Sequence, residues 1–271
     1  MKKHQIHQLK IHFMVKENVN RFVYVYIIEA DFLYLIDSGV YGCEKQIALY
    51  LKQIGRDISE IRAIFLTHAH PDHIGSAGWF QKNVGCKIYA SAGEKRWIED
   101  IDLQFKKRPI PNFYNLAGQS SKVDYEIKDG EEIELEKNLV MKVIRTAGHS
   151  VDEVSFQLQN SLFIGDSVLV KGDIPIFIDE YETRRTLDVI LQIPNVDTYY
   201  PAWDCTYSKK VMLQKIRDAR KFIDLLKETV AQYGKKEENS IVVDQVCECL
   251  HMPMLKKNPL FARTVLCLME E

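Results

Sequence analysis

IRAIFLTHAHPDH, residues 61–73, is the stretch from which the rest of the chain can be read. Its opening run, ending at Leu66, is apolar apart from Arg62 and fits a buried β-strand. The strand empties into Thr67, and His68, His70, Asp72 and His73 then follow within six positions. His68 and His70 are two residues apart, so on extended backbone their side chains point to the same side. Imidazoles so placed suit zinc, which takes nitrogen ligands at roughly 2.0–2.1 Å. Pro71 forces a turn, after which Asp72 and His73 can face the same cavity and serve a second ion. Asp72 is also suited to capping the helix that follows. A lone histidine reads as a hydrogen-bonded surface residue. Three imidazoles and a carboxylate in one strand-to-helix loop, in a chain of formal charge −2, read as a divalent-metal site.

Upstream, residues 21–29 (RFVYVYIIE) and 31–37 (DFLYLID) are rich in aromatic and β-branched residues and predict an antiparallel pair of strands. Ile47, Tyr50, Leu51 and Ile54 recur at helical spacing until Gly55 stops them. Downstream, Ile74, Ala77 and Phe80 mark a short helix and residues 87–90 a strand. Ser91 with Glu94 three residues on reads as a capping box for a helix through Trp97 and Ile101. Residues 106–121 carry two prolines and little periodicity, and predict a long loop facing the substrate. Its basic run, Lys106-Lys107-Arg108, reads as solvated.

Short strands follow over 123–127, 131–135, 139–145, 153–159 and 161–164, then a helix over 183–192 and a strand over 196–200. Leu213, Ile216, Ala219, Ile223, Leu226 and Val230 fall on one side of a long helix, 208–233. Residues 235–239 read as a charged linker before two short helices. Strands then helix, twice over, predict two sheets sandwiched between helices. The expected division is 1–207 for the sandwich and 208–271 for a helical extension packed on it.

With 271 residues, 46% of them hydrophobic, the chain has ample material for a core. No run approaches the roughly 18 consecutive apolar residues that span a bilayer. The start, MKKHQIHQLKIHF, lacks the apolar segment of a signal peptide. The charge balance argues against a nucleic-acid surface or a polybasic membrane patch. The six cysteines lack paired C-x-x-C spacing and read as free thiols. Together these features predict a cytoplasmic protein with a small-molecule substrate and no nucleic-acid or membrane partner; a homodimer is allowed for.

The chain resembles the metallo-β-lactamase superfamily, whose signature has the form H-x-H-x-D-H. Leu35-Ile36-Asp37-Ser38-Gly39 looks like that family's buried strand ending in an Asp-(Ser/Thr)-Gly turn. Thr146-Ala147-Gly148-His149-Ser150 is similar to its T-x-G-H-(S/T) segment, and Phe163-Ile164-Gly165-Asp166-Ser167 to its F-x-G-D-(S/T) segment. The resemblance implies an α/β fold, a four-layer αβ/βα sandwich with metals at one edge between the sheets. It implies a first metal site of His68, His70 and His149, a second drawing on Asp72 and His73, and Asp166 bridging the two. One or two zinc ions are implied, with iron or manganese as other occupants. The implied activity is hydrolysis of an ester, lactone, thioester or amide, with Asp72 as the catalytic residue that orients the nucleophile or relays its proton.

The pattern breaks once. The family's final histidine, in a P-G-H-G-like segment, aligns with Trp203 in Tyr200-Pro201-Ala202-Trp203-Asp204, and indole nitrogen is a donor only. Asp204 is a candidate replacement ligand, and Trp203 a candidate wall of the substrate pocket. A glutathione-thioester hydrolase would ordinarily keep that histidine and add cationic residues for the glutathione carboxylates. An iron-dependent redox enzyme of the sulfur dioxygenase type, needing only His68, His70 and His149, is the alternative activity. A non-catalytic binding protein with a decayed second site is the third.

Overall fold

The computed structural model describes residues 4–16, 19–233 and 238–270. Two six-stranded sheets lie back to back. The first runs β1 (Gln5–Lys16), β2 (Val19–Glu29), β3 (Leu33–Ile36), β4 (Ile61–Phe65), β5 (Lys87–Ser91) and β6 (Tyr125–Ile127) in spatial order. Its first two pairings are antiparallel and its last three parallel. Parallel neighbours need a crossover of a dozen or more residues. Helix α1 (Glu44–Gln53) supplies one between β3 and β4, and α2 (Pro71–Ile74) with α3 (Ala77–Asn83) another between β4 and β5. Helices α4 (Ala92–Glu99), α5 (Ile101–Lys107) and α6 (Phe113–Ala117) make the third, before β6.

The second sheet is ordered β12 (Tyr207–Ser208), β11 (Thr198–Pro201), β10 (Ser161–Gly165), β9 (Val154–Leu158), β8 (Leu139–Arg145) and β7 (Glu132–Glu136). It is antiparallel except where α7 (Glu180–Gln192) carries the chain from β10 to the parallel β11. The remaining helices are α8 (Lys209–Tyr233), α9 (Asn239–Cys249) and α10 (Pro259–Met269).

Three apolar clusters define the layers. Tyr26, Ile28, Phe65, Met141, Phe156 and Phe163 interlock between the sheets. The outer face of the first sheet buries Ile11, Val25 and Leu35 against Ile47, Leu51 and Phe80 of its helices. The outer face of the second buries Leu162, Ile164 and Tyr199 against Leu187 of α7, Ile216 and Ile223 of α8, and Phe261 of α10. That is the four-layer αβ/βα sandwich, and strands such as β3 and β10, covered on both faces, are buried throughout and mostly apolar for that reason.

Differences from the expected elements are local. The first strand, β1, pairs with β2 along its length. Residues 106–121 are not one open loop: the end of α5 and the single turn of α6 lie inside them. Residues 208–233 and 238–270 share one apolar core with the second sheet, and α8 forms much of its outer layer. Most of the linker expected at 235–239 lies outside the described residues. Among the described residues, no helix is long and apolar enough to cross a membrane.

Candidate metal centre

Parallel strands deliver their C-terminal ends to one edge, where α/β sheets place their sites. At that edge β3 ends in Asp37, β4 leads into residues 66–73, β10 ends beside Asp166 and β11 leads to Trp203. The loop from β8 to β9 brings His149. Ligands from three separated segments thus meet: His68, His70, His149 and Asp166 offer atoms that all lie within 4.8 Å of one another.

The proton positions follow from what stands behind each ring. Thr67 Oγ1 donates to the Asp37 carboxylate (2.9 Å to Oδ2), so it accepts from His68 Nδ1–H at 3.0 Å. His149 Nδ1–H donates to the Ile176 carbonyl at 3.0 Å. His73 Nδ1–H donates to Asp37 Oδ2 at 2.8 Å. A neutral imidazole protonated on Nδ1 carries its lone pair on Nε2, so His68 and His149 present Nε2 lone pairs to the cluster, while His73 turns its Nε2 towards Asp166 and Asp72. His70 turns its Nδ1 inward, 2.9 Å from His68 Nε2 and 2.8 Å from His149 Nε2. Asp166 Oδ2 is 3.4 Å from His149 Nε2, 3.4 Å from His73 Nε2 and 4.0 Å from His68 Nε2. Asp72 Oδ2 stands 3.6 Å from His73 Nε2.

Among the described residues, six buried atoms here have no hydrogen-bond partner: Glu153 Oε2, Ser167 Oγ and Trp203 Nε1 at the periphery, and Asp72 Oδ2, His73 Nε2 and Asp166 Oδ1 beside the imidazoles. Buried polar atoms left unpaired cost on the order of 1–3 kcal/mol each, and three beside a converging set of imidazoles are what a cation would satisfy. Ligands held by one tetrahedral ion at zinc-like bond lengths stand roughly 3.4 Å apart, which the spacings above bracket. The residues therefore fit a divalent metal.

The electrostatics agree. Burial, then the neighbouring imidazoles, holds His68 well below the usual histidine range, and burial with the Arg108 charge does the same for His70. His149 is lowered by burial, which outweighs Asp166. These three rings are neutral lone-pair donors at neutral pH, the form a metal requires. Burial alone would lower His73 too, but Asp166, Asp37 and Asp72 around it raise it well above the usual value. Burial lifts the Asp72 carboxyl to about 6 against the pull of His73. Burial would raise Asp166 as well, but His73 and His149 bring it down, and Trp203 contributes to that.

Several buried groups outside the expected ligand set build this site. Asp37, in a left-handed conformation (φ 60°), locks the ligand loop through Thr67 N at 2.8 Å and His73. Glu153 Oε1 accepts the Asp166 backbone N–H at 2.8 Å, and burial next to Asp166 keeps the Glu153 carboxyl protonated well above its usual range. Glu94 does not close a capping box: Ser91 Oγ donates to the Asp152 carbonyl, and Ser91 makes no side-chain cap. Glu94 is instead fully buried and accepts from Ala69 N, Ser150 Oγ and Asp152 N. Asp37 was visible in its Asp-Ser-Gly turn, whereas nothing local in the sequence marks Glu94 and Glu153 for these roles.

Gly148 precedes His149 at φ 128°, and a Cβ there would stand 2.6 Å from the Thr183 backbone nitrogen. We expect Gly148→Ala to destabilise the fold by about 3 kcal/mol and to weaken metal retention, read by thermal unfolding and metal analysis.

Asp204 is not brought to the cluster. Its carboxylate accepts from Lys215 Nζ at 2.7 Å, Cys205 N at 2.7 Å and the Tyr207 hydroxyl. That corrects the expectation that it replaces the final histidine. Asp204→Ala is expected to leave metal stoichiometry unchanged while costing about 1 kcal/mol of stability, measured by elemental analysis and denaturant titration.

Trp203 does line the cavity above the cluster. Its ring packs edge-on to Phe13 (6.2 Å between centroids) beneath the Arg21 guanidinium at 4.2 Å. The cavity, ≈ 750 Å³, is walled by apolar side chains such as Val168, Ile174 and Leu260, with His70, Asp72, His149 and Asp166 on its surface. Residues Met254 to Leu260 and Arg263 of the C-terminal segment close one side, so that segment does more than complete the core.

The model of the metallo-beta-lactamase superfamily matches residues 19–203. A hydroxyacylglutathione hydrolase of Hyphomonas neptunium is 28% identical over 192 residues, 70% of this chain and 65% of that protein. A probable metallo-hydrolase of Methanocaldococcus jannaschii is 28% identical over 176 residues, 62% of this chain and 80% of that one. A metallo-beta-lactamase family protein of Thermus thermophilus superposes with a TM-score of 0.77 at 17% identity, covering 97% of this chain and 91% of the other. The chain belongs to the metallo-beta-lactamase superfamily. Both of these sequence relatives are hydrolases by name. The match spans just under two thirds of the Hyphomonas protein.

Proposed function

We propose that this protein is a metal-dependent hydrolase acting on a small-molecule ester, lactone, thioester or amide. The observation that carries the reading is the inward convergence of three neutral imidazoles and Asp166 beside the unpartnered atoms of Asp72 and His73. His68, His70 and His149 would hold one ion, with Asp166 shared towards a second that His73 and Asp72 serve. Such an ion, zinc above all, supplies a water activated at neutral pH and a Lewis acid for the carbonyl oxygen.

The chain's own groups do the rest. Asp72 Oδ2, free of other partners, accepts a hydrogen bond from the attacking water and can take its proton. Asp37 and Thr67 fix the rings of His73 and His68, as outer partners of metal-binding histidines do. Glu153 holds the Asp166 backbone in place. The apolar cavity walls exclude bulk water and take the substrate's hydrocarbon portion. With Trp203 in the pocket and Asp204 turned away, a second ion would have one protein ligand fewer and would be the weaker bound.

The test is hydrolysis of an ester, lactone, thioester and amide panel by protein of known metal content. The expected result is activity removed by a chelator and restored by zinc. Turnover that survives complete metal removal contradicts the reading, and oxygen uptake by iron-loaded protein without hydrolysis replaces it with the redox alternative.

A further inference from the structure

Five cations line the cavity: Arg21, Arg108, Lys256, Lys257 and Arg263. Arg21 is held by Asp173 and Lys256 by Glu248. Arg108 and Arg263 differ. Both are half-buried, and among the described residues neither guanidinium has a carboxylate within ion-pair distance. Arg108 follows α5 and makes no side-chain hydrogen bond among the described residues, its nearest ring contact being Trp97 at 5.8 Å. Among the described residues, Arg263, on α10, reaches only the Lys107 carbonyl, at 3.4 Å. The acidic group felt at Arg108 is Glu94, whose oxygens already serve Ala69, Ser150 and Asp152.

Withdrawing a guanidinium from water without an anion is costly, and burial lowers the pKa of both, the Arg263 charge adding to the effect at Arg108. Each charge also depresses His70, so the pair stands within electrostatic reach of the metal ligands. The run read as a solvated surface thus sends its arginine into the pocket, opposite another delivered by the last helix.

We propose that Arg108 and Arg263 form an anion subsite, and that the substrate is an acyl compound carrying a carboxylate or phosphate along with an apolar portion. Guanidinium forks bind either group through paired, charge-assisted hydrogen bonds, and the cavity's Val168, Leu169, Ile174 and Leu260 receive the hydrocarbon. The hydrolysed bond then lies between the anchored anion and the metal centre. The substrate class rests on the hydrolase reading; the subsite itself does not.

Two measurements separate the claims. In the first, calorimetry follows hexanoate, hexyl phosphate and hexanol binding to zinc-loaded wild-type protein and to Arg108→Gln/Arg263→Gln and Arg108→Lys/Arg263→Lys. Both anions should bind about 10- to 100-fold more tightly than hexanol. The glutamine variant should lose that preference while keeping its affinity for hexanol, and the lysine variant should retain part of it. The tighter anion identifies the group carried. Equal binding of hexanol and the anions by wild type, or an undiminished preference in the glutamine variant, overturns the subsite. In the second, hydrolysis of a p-nitrophenyl ester with a terminal carboxylate is compared with its methyl-capped neutral form. Wild type should favour the charged ester by a similar factor in kcat/KM, and a preference for the neutral ester overturns the substrate class. Arginine-dependent anion binding without hydrolysis of either ester refutes the hydrolase reading while leaving the subsite standing.

Discussion

Glu94→Ala should be among the most damaging single changes in the molecule, costing about 3–5 kcal/mol of stability. Glu94 is fully buried, 0% exposed, and its two oxygens accept from Ala69 N at 3.1 Å, Ser150 Oγ at 2.6 Å and Asp152 N at 3.0 Å. Ala69 lies between His68 and His70, and Ser150 follows His149. One carboxylate therefore ties together the two loops that carry the three histidines. Its removal leaves two buried backbone N–H groups without partners and frees the loops to separate. Glu94→Gln keeps the shape but exchanges one acceptor oxygen for a donor, and should lie between wild type and alanine. Denaturant unfolding with and without zinc checks this: the alanine variant should lose both stability and most of the stabilisation zinc confers. Wild-type unfolding in Glu94→Ala would contradict the role.

His70→Ala is expected to lower kcat/KM by about 1,000-fold or more and to lose the ion held with His68 and His149. His70 Nδ1 sits between the Nε2 atoms of the other two rings, at 2.9 and 2.8 Å, so alanine there removes the ligand that stands between them. Fold stability should change far less than in Glu94→Ala, because His70 makes no further side-chain hydrogen bond among the described residues. Circular dichroism, metal analysis and ester hydrolysis on one preparation separate the effects. Retained activity with a folded, metal-poor protein would refute the catalytic assignment.

What was legible in the sequence was what is local. His68, His70, Asp72 and His73 lie in one short run, and the segments around His149 and Asp166 carry their own glycine turns. The apolar runs of β3, β4 and β10 announced buried strands because both faces of each are covered. The less legible features depend on residues far apart in the chain. Ser91 and Glu94 have the spacing of a capping box, yet tertiary partners 58 residues away claim the carboxylate. Arg108 looks solvated beside Lys106 and Lys107 until α10, some 150 residues on, is folded against it. Asp204 is adjacent to Trp203, but on the turn into β12 it is captured by Lys215 of the next helix. The short turn of α6 carries too few residues to set up a helical period.

A crystal grown with zinc, with diffraction recorded on both sides of the zinc absorption edge, tests the central claim most directly. An anomalous peak is expected between His68 Nε2, His70 Nδ1 and His149 Nε2, in contact with Asp166, together with a weaker one or none beside Asp72 and His73. A zinc-soaked crystal with those three nitrogens in place and no peak among them would contradict the account.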